Sequence, residues 1–271
     1  MTANSVERFS NRVENYIKYR PTYPPEILEL FKDKMGLTKE SAVADIGSGP
    51  GILTRLFLEN GNLTHGVEPN EGMRAAAERL LKRFHNFRSV NGTAEATGLP
   101  GASVDVVTAG QAFHWFNAEA ARAEFKRILK PGGYCSLIWN MRQLDSTPFL
   151  HDYEQFIVDN ATDYNEVRHE RIAGPLCDSP ARDAKPSEKM KMAGELMKFF
   201  GDGFEYASFD NVQVFDFDGL KGRLFSSSYM PAEETEKGVK ITLNLRQLFA
   251  RHEQEGRIEI LYDTNIFYGK L

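Results

Sequence analysis

The sequence predicts an α/β fold, a doubly wound and mostly parallel seven-stranded sheet with helices on both faces. Three observations carry this prediction. Short apolar runs alternate with amphipathic helical patterns through the first half, as βα repeats do. The first run ends in a glycine turn, "VADIGSGPGIL" (43–53), that opens a helix. Two alternating segments flank a long helical pattern near the end and would extend the same sheet. The 271 residues, 41% of them hydrophobic, suffice for a single domain, 1–271, with a sizeable insertion and no need of metals or disulfides.

The elements follow in order. "SAVADIG" (41–47) reads as a buried parallel strand, and "GILTRLFLENG" (51–61) as a helix stopped at Gly61. "LTHGVEP" (63–69) is the second strand and "EGMRAAAERLLKRF" (71–84) the second helix. "FRSVNG" (87–92), "VDVVTAG" (104–110) and "YCSLIWN" (134–140) are three further strands. The helix "AEAARAEFKRILKPGG" (118–133) precedes the last of them, its Pro-Gly-Gly end forbidding continuation. Past residue 141 the texture changes. Residues 148–169 look helical and aromatic, and 174–190 read as a proline-containing loop. "EYASFDNVQVFDFD" (205–218) alternates as a strand, 233–256 is a long helix, and "RIEILYDTNIFYG" (257–269) a last strand, with one antiparallel edge expected.

Composition narrows the function. The two cysteines, Cys135 and Cys177, lack metal-ligand spacing and read as reduced thiols, so no metal is expected. The start of the chain lacks a signal-peptide core, and no apolar run reaches the ~18 residues of a membrane helix. Net charge is −5 with dispersed Lys and Arg, which argues against nucleic acid. The expectation is a cytoplasmic protein, monomer or homodimer, with no membrane partner.

Glycine carries a large entropy cost on folding, so Gly47, Gly49 and Gly51 together imply a backbone that must come close to something. In a doubly wound sheet that place binds ligands. Dinucleotide binders want G-x-G-x-x-G to seat a pyrophosphate. Here the spacing is G-x-G-x-G, Ile52 follows, and Asp45 stands two residues before the first glycine. A nucleoside with an amino-acid tail suits this better.

With these motifs the sequence resembles class I S-adenosylmethionine-dependent methyltransferases, of the small-molecule subgroup that includes trans-aconitate methyltransferase-like and uncharacterised proteins. "VADIGSGPG" resembles the family's first motif, "GVEPNEGM" its second-strand acidic segment, "NGTAEATGLP" its G-x-A-E-x-L-P segment, "VVTAGQAFHWF" its fourth-strand motif and "ILKPGGYCSLIWN" its L-K-P-G-G segment. "YIKYRPTYPPEIL" (16–28) resembles the subgroup's lead-in, and the late "SSSYMP…YDTNIFYGKL" its tail. The resemblance covers residues 16–140 well and the rest loosely. It implies a Rossmann-like methyltransferase fold, S-adenosyl-L-methionine as cofactor and S-adenosyl-L-homocysteine as product.

It also implies site residues. Gly47, Ser48, Gly49 and Gly51 would wrap the methionine part of the cofactor, with Asp45 either contacting it or holding the loop. Glu68 would accept hydrogen bonds from both ribose hydroxyls. Met73, Ala94 and Glu95 would lie at the adenine, though Met73 also suits a core and "TAEATG" a solvated turn. Gln111 and Ala112 would line the reaction face. Tyr19 and Arg20 would fold over the cofactor, Arg20 pairing its carboxylate or a surface acid. His114 is the candidate general base, or a structural donor. Trp115 and Arg142 are candidates for the acceptor pocket.

The implied reaction is methyl transfer to a small-molecule acceptor at oxygen, carboxylate or hydroxyl. The family's adenine-amine and glutamine methyltransferases often carry Asn-Pro-Pro-Tyr where this chain has "AGQAFHWF" (109–116), which counts against those acceptors. The lead-in (1–35) and a helical insertion (141–204) are expected to cover the site. A non-catalytic cofactor binder or scaffold, and an NAD(P)-dependent oxidoreductase, are the alternatives.

Overall fold

The computed structural model describes residues 17–162, 194–201, 203–227 and 229–271. Helix α1 (Glu26–Met35) leads into strand β1 (Ala42–Ile46) and helix α2 (Ile52–Asn60). Then come β2 (Leu63–Val67), α3 (Glu71–Leu81), β3 (Phe87–Val90) and β4 (Val104–Gly110). A 3₁₀ turn (Phe113–Trp115), α4 (Ala118–Ile128), β5 (Leu129–Arg142) and α5 (Pro148–Asn160) follow. After a helical segment over 194–200, the chain closes with β6 (Phe204–Phe215), α6 (Phe217–Phe225), α7 (Glu236–His252) and β7 (Ile258–Gly269).

The seven strands form one sheet in the order β3-β2-β1-β4-β5-β7-β6. Strands β1 to β5 pair in parallel, while β7 runs antiparallel to both β5 and β6. Successive residues of a strand face opposite sides. Val43, Val106, Ile138 and Ile266 therefore pack with Ile27, Phe31 and Phe57 on one face. Their neighbours Ala44, Val107, Leu137 and Phe267 pack with Phe125 and Ile128 on the other. Burial on both faces is why the central strands read as unbroken apolar runs.

Several expectations needed correction. The helix expected over 118–133 ends at Ile128, and the Pro-Gly-Gly stretch belongs to β5. Pro131 has no N–H for the carbonyl of Arg127. That carbonyl accepts Ala102 N–H at 2.9 Å, and the Ile128 carbonyl accepts Ser103 N–H at 2.8 Å. The helix expected over 71–84 stops at Leu81, with a turn from Phe84 N–H to the Leu81 carbonyl. Helix α6 was not expected; the strand expected over 205–218 stops at Phe215, and the Asp216 carboxylate caps the first turn of α6 by accepting Gly219 N–H at 2.8 Å.

The reversed strand is also not at the edge. β7 lies inside β6, because its end (Thr264–Tyr268) is buried throughout whereas β6 exposes every second residue along much of its length. The expected loop at 174–190, Cys177 and half of the expected insertion (163–193 and 202) lie outside the described residues, as do residues 1–16 of the expected lead-in.

One feature of the sheet positions the site. β5 pairs with β7 only as far as Arg142 opposite Tyr262. After one more bond, from Gln143 N–H to the Leu261 carbonyl at 2.9 Å, residues 258–260 of β7 pair with β6 alone, so a two-stranded ribbon overhangs the carboxyl ends of the parallel strands. Helices α5, α6 and α7 pack on that overhang around Leu150, Tyr153, Leu224, Leu245 and Ile260.

Candidate functional site

The turn after β1 has all three motif glycines at positive φ: Gly47 at 68°, Gly49 at 54° and Gly51 at 87°. L-residues rarely take this conformation. The three have different surroundings. A Cβ on Gly47 would stand 2.7 Å from the Ala112 Cβ, and one on Gly51 would stand 2.5 Å from Leu81 Cδ1 in α3. Those two permit close packing inside the protein. A Cβ on Gly49 would meet nothing within 4 Å and would project into open space.

That space is a cleft at the carboxyl ends of β1, β4 and β5. Its walls include Arg20, Tyr23, Asp45, Ser48, Gln111 and Asn140. Asp45 is buried; its Oδ2 accepts the Thr54 hydroxyl at 2.6 Å, and its Oδ1 is buried with no partner among the described residues. Burial pushes the carboxyl up to about 7, against the Thr54 hydrogen bond, with Glu68 repulsion adding to the rise. An acceptor atom held out of water without a donor marks a place where a ligand donor belongs.

Glu68 follows β2 and is buried. Its Oε2 accepts Gly49 N–H at 2.9 Å and its Oε1 accepts Asn70 N–H at 2.8 Å. Burial raises its pKa, and these amides, with Arg74 nearby, oppose the rise. Glu68 thus ties the glycine loop to the start of α3. There Asn70 caps the helix by accepting Met73 N–H, and the Met73 side chain is buried. The sequence reading missed Arg74, whose Nη1 donates to the carbonyls of Glu68 and Pro69.

Gln111 ends β4 at φ 55°, a strained conformation for a side chain of its size. It is held there by its N–H on the Ile138 carbonyl (2.8 Å) and its Nε2 on the Asn140 carbonyl (3.0 Å). Ala112 is buried against Gly47. The lead-in crosses the cleft: the Thr22 carbonyl accepts from Asn140 and Asn211, and the Tyr19 carbonyl from Gln213. Tyr23 and Asn140 were not among the sequence candidates, because only the strap and the strand ends meeting in space put them there.

Other candidates lie elsewhere. The Tyr19 ring packs against Gly222 of α6, not in the cleft wall. Ala94 is buried. The Glu95 carboxylate accepts Asn117 N–H at the start of α4 (2.8 Å). Burial would raise its pKa, but hydrogen bonds led by that amide lower it. His114 sits in the 3₁₀ turn with its ring 4.8 Å from that of Trp115, and neither lines the cleft. Arg142 pairs with Glu154 of α5 at 2.5 Å, both largely buried, and lies over the Tyr153 ring. Among the described residues no group of three His, Cys, Asp or Glu could hold a metal, and no helix is long and apolar enough to cross a membrane.

A sheet of this order with its seventh strand reversed, and a glycine loop feeding a cleft beside an acid at the end of β2, defines the S-adenosylmethionine-dependent methyltransferase class. A methyltransferase domain model matches residues 44–137. An uncharacterized methyltransferase of Schizosaccharomyces pombe is 30% identical over 84% of this chain and 83% of its own length. An uncharacterized methyltransferase-like protein of the same yeast is 31% identical over 97% and 94%. Among solved structures, a protein of Anaeromyxobacter dehalogenans, provisionally described as a type II methyltransferase, superposes with a TM-score of 0.63. It is 22% identical and the match covers 93% of this chain and 98% of that one. The chain belongs to the class I S-adenosylmethionine-dependent methyltransferase family.

The residues present fit the cofactor that this family implies. The partnerless Asp45 Oδ1 offers an acceptor to an ammonium, and Gly49 leaves its side of the loop clear for a ligand.

Proposed function

We propose that the cleft holds S-adenosylmethionine by both ends of its amino-acid tail and delivers its methyl group to an oxygen of a small carboxylic acid. The cofactor supplies a methyl group on a sulfonium, electrophilic without further activation. Asp45 Oδ1 takes the ammonium and Arg20 the carboxylate, while Glu68 turns its remaining lone pairs to the ribose hydroxyls. Met73, Ala94 and Glu95 form the adenine end. Gln111, Ala112 and Asn140 fix the reaction face. The lead-in strap and α5, which belong to the cover expected over 1–35 and 141–204, exclude water together with α6 and α7 and align the acceptor, which in favourable systems supplies about 7–11 kcal/mol.

The observation that carries the acceptor chemistry is the cleft wall itself. Among the described residues its ionisable side chains are Arg20, Tyr23 and Asp45. Asp45 is engaged by Thr54, and His114 stands outside the wall, so the wall favours an acceptor that is already a nucleophile at neutral pH. A carboxylate is one; a phenol or amine needs a base. The partner is a small molecule.

Calorimetric titration with S-adenosylhomocysteine, S-adenosylmethionine and NADH tests the cofactor. Micromolar affinity for the first two, and none for NADH, is expected. Turnover is then followed as S-adenosylhomocysteine release with panels of small carboxylic acids, phenols and amines. Turnover confined to phenols or amines would overturn the acceptor assignment. Cofactor binding without turnover on any panel would favour a non-catalytic binder.

A further inference from the structure

Arg223 of α6 is the buried charge that the methyl-transfer site does not use. It is 8% exposed. Its Nε donates to the Tyr262 hydroxyl at 3.2 Å and its Nη1 to the Ser227 hydroxyl at 3.2 Å. Tyr262 in turn donates to Gln213 Oε1 at 2.8 Å, so it meets Arg223 as a neutral acceptor. Among the described residues no carboxylate pairs with Arg223. The nearby acid, Glu154, is committed to Arg142.

A buried guanidinium bonded only to neutral hydroxyls is costly, because those bonds return less than the hydration it gave up. A guanidinium has five N–H donors. These two bonds engage one donor on Nε and one on Nη1, leaving the Nη1/Nη2 end, the edge that matches a carboxylate with two parallel hydrogen bonds.

Its position relative to the cleft is equally informative. On paired strands, opposed residues share a face. Asn140 with Thr264, and Arg142 with Tyr262 and Asn211, form one polar face of β5, β7 and β6. Two separate hydrogen-bonded groups lie along it: Thr264 and Asn211 donate to Asn140 Oδ1 at the cleft wall, and further on Arg223 donates to Tyr262, which donates to Gln213. The step from Asn140 to Arg142 along β5 is about 7 Å. Tyr19, the neighbour of cleft residue Arg20, packs on Gly222 beside Arg223.

We propose that Arg223 is the seat for a carboxylate of the methyl acceptor, bound end-on at the far end of this polar face; this rests on the methyl-transfer reading above. Arg223 is then a specificity-determining residue that touches the acceptor but not the cofactor.

The test is thermal unfolding of the full chain saturated with S-adenosylhomocysteine, at fixed ionic strength, with acetate, succinate, sulfate or phosphate against chloride. Calorimetry of S-adenosylhomocysteine itself is run on each variant, so failure of the methyl-transfer reading registers separately as lost cofactor binding. A carboxylate is expected to raise the wild-type Tm more than sulfate or phosphate does. Arg223→Met should lose that rise, keep cofactor affinity within twofold, and match or exceed the wild-type Tm without carboxylate, because an uncompensated charge has gone. Arg223→Lys, a second variant in case Met fails to fold, should bind the carboxylate at least tenfold more weakly for want of the fork. The proposal is overturned by no carboxylate effect on the wild type, by phosphate or sulfate acting in its place, or by either variant keeping the full effect.

Discussion

The glycine-loop half of the molecule, β1 to α4, and the overhang half, β5 to β7 with α5 to α7, are built on opposite terms. In the first, the site is local and strained: three glycines and Gln111 at positive φ, and a buried Asp45 with one oxygen unpartnered, all within a turn of a strand end. In the second, side chains far apart in sequence satisfy one another, as Arg142 with Glu154, Gln143 with Asp263, Asn140 with Thr264, and Asp152 with His252. The contrast indicates that the loop half gives up stability to keep groups ready for a ligand, whereas the overhang half gains stability from polar pairs that hold its helices over the cleft.

Asp45 gives the largest break in that comparison. Its folded pKa is raised from 3.8 to about 7, so the folded chain holds a proton that the unfolded chain releases. Its contribution is therefore favourable at low pH and is lost as pH rises from about 4 to about 7, a change on the order of 4 kcal/mol. Asp45→Asn should be the more stable protein at pH 8 and lose most of its advantage at pH 4, measured by denaturant unfolding. Wild-type affinity for S-adenosylhomocysteine should rise between pH 6 and 8, as Asp45 ionises to meet the ammonium; a flat profile would refute that pairing.

In the overhang half the sign reverses. Glu154→Gln leaves Arg142 buried beside a neutral amide and should destabilise by about 3 kcal/mol, while S-adenosylhomocysteine affinity in the folded fraction stays unchanged. Gly49→Val should leave the protein folded, with only the backbone strain of positive φ, and weaken cofactor binding by at least ~100-fold, about 2.7 kcal/mol. Unchanged affinity there would mean that the open side of the loop is not the cofactor's. Glu68→Gln is the mildest: roughly a tenfold loss of affinity with little change in Tm, since the amide oxygen still accepts one of the two backbone N–H groups. An effect on turnover at saturating cofactor would move Glu68 from the ribose to the reaction face.

How much of this was legible in the sequence depended on range. β4 matches its expected bounds, and β1, β2 and α2 match to within two residues, because periodicity and a terminal glycine are written into adjacent positions. The end of α4 was missed because Pro131 acts four residues back, and α6 because its cap, Asp216, continues the alternation read as a strand over 205–218. In the site, Asp45, Ser48, Gly49 and Gln111 were identified and do share the cleft. Glu95 and Arg142 were identified too, but their observed partners, Asn117 and Glu154, are 22 and 12 residues away.

The sequence by itself determined the fold class, the family and the loop, since these depend on residue type and spacing along a few turns of chain. Only the tertiary structure decided that Gly51 faces Leu81 while Gly49 faces open space, that β7 slips between β5 and β6, and that Arg223 lies buried at the end of a polar face with no carboxylate paired to it among the described residues. Burial, partner and electrostatic cost belong to neighbours in space, and the chain places those neighbours only when it closes on itself.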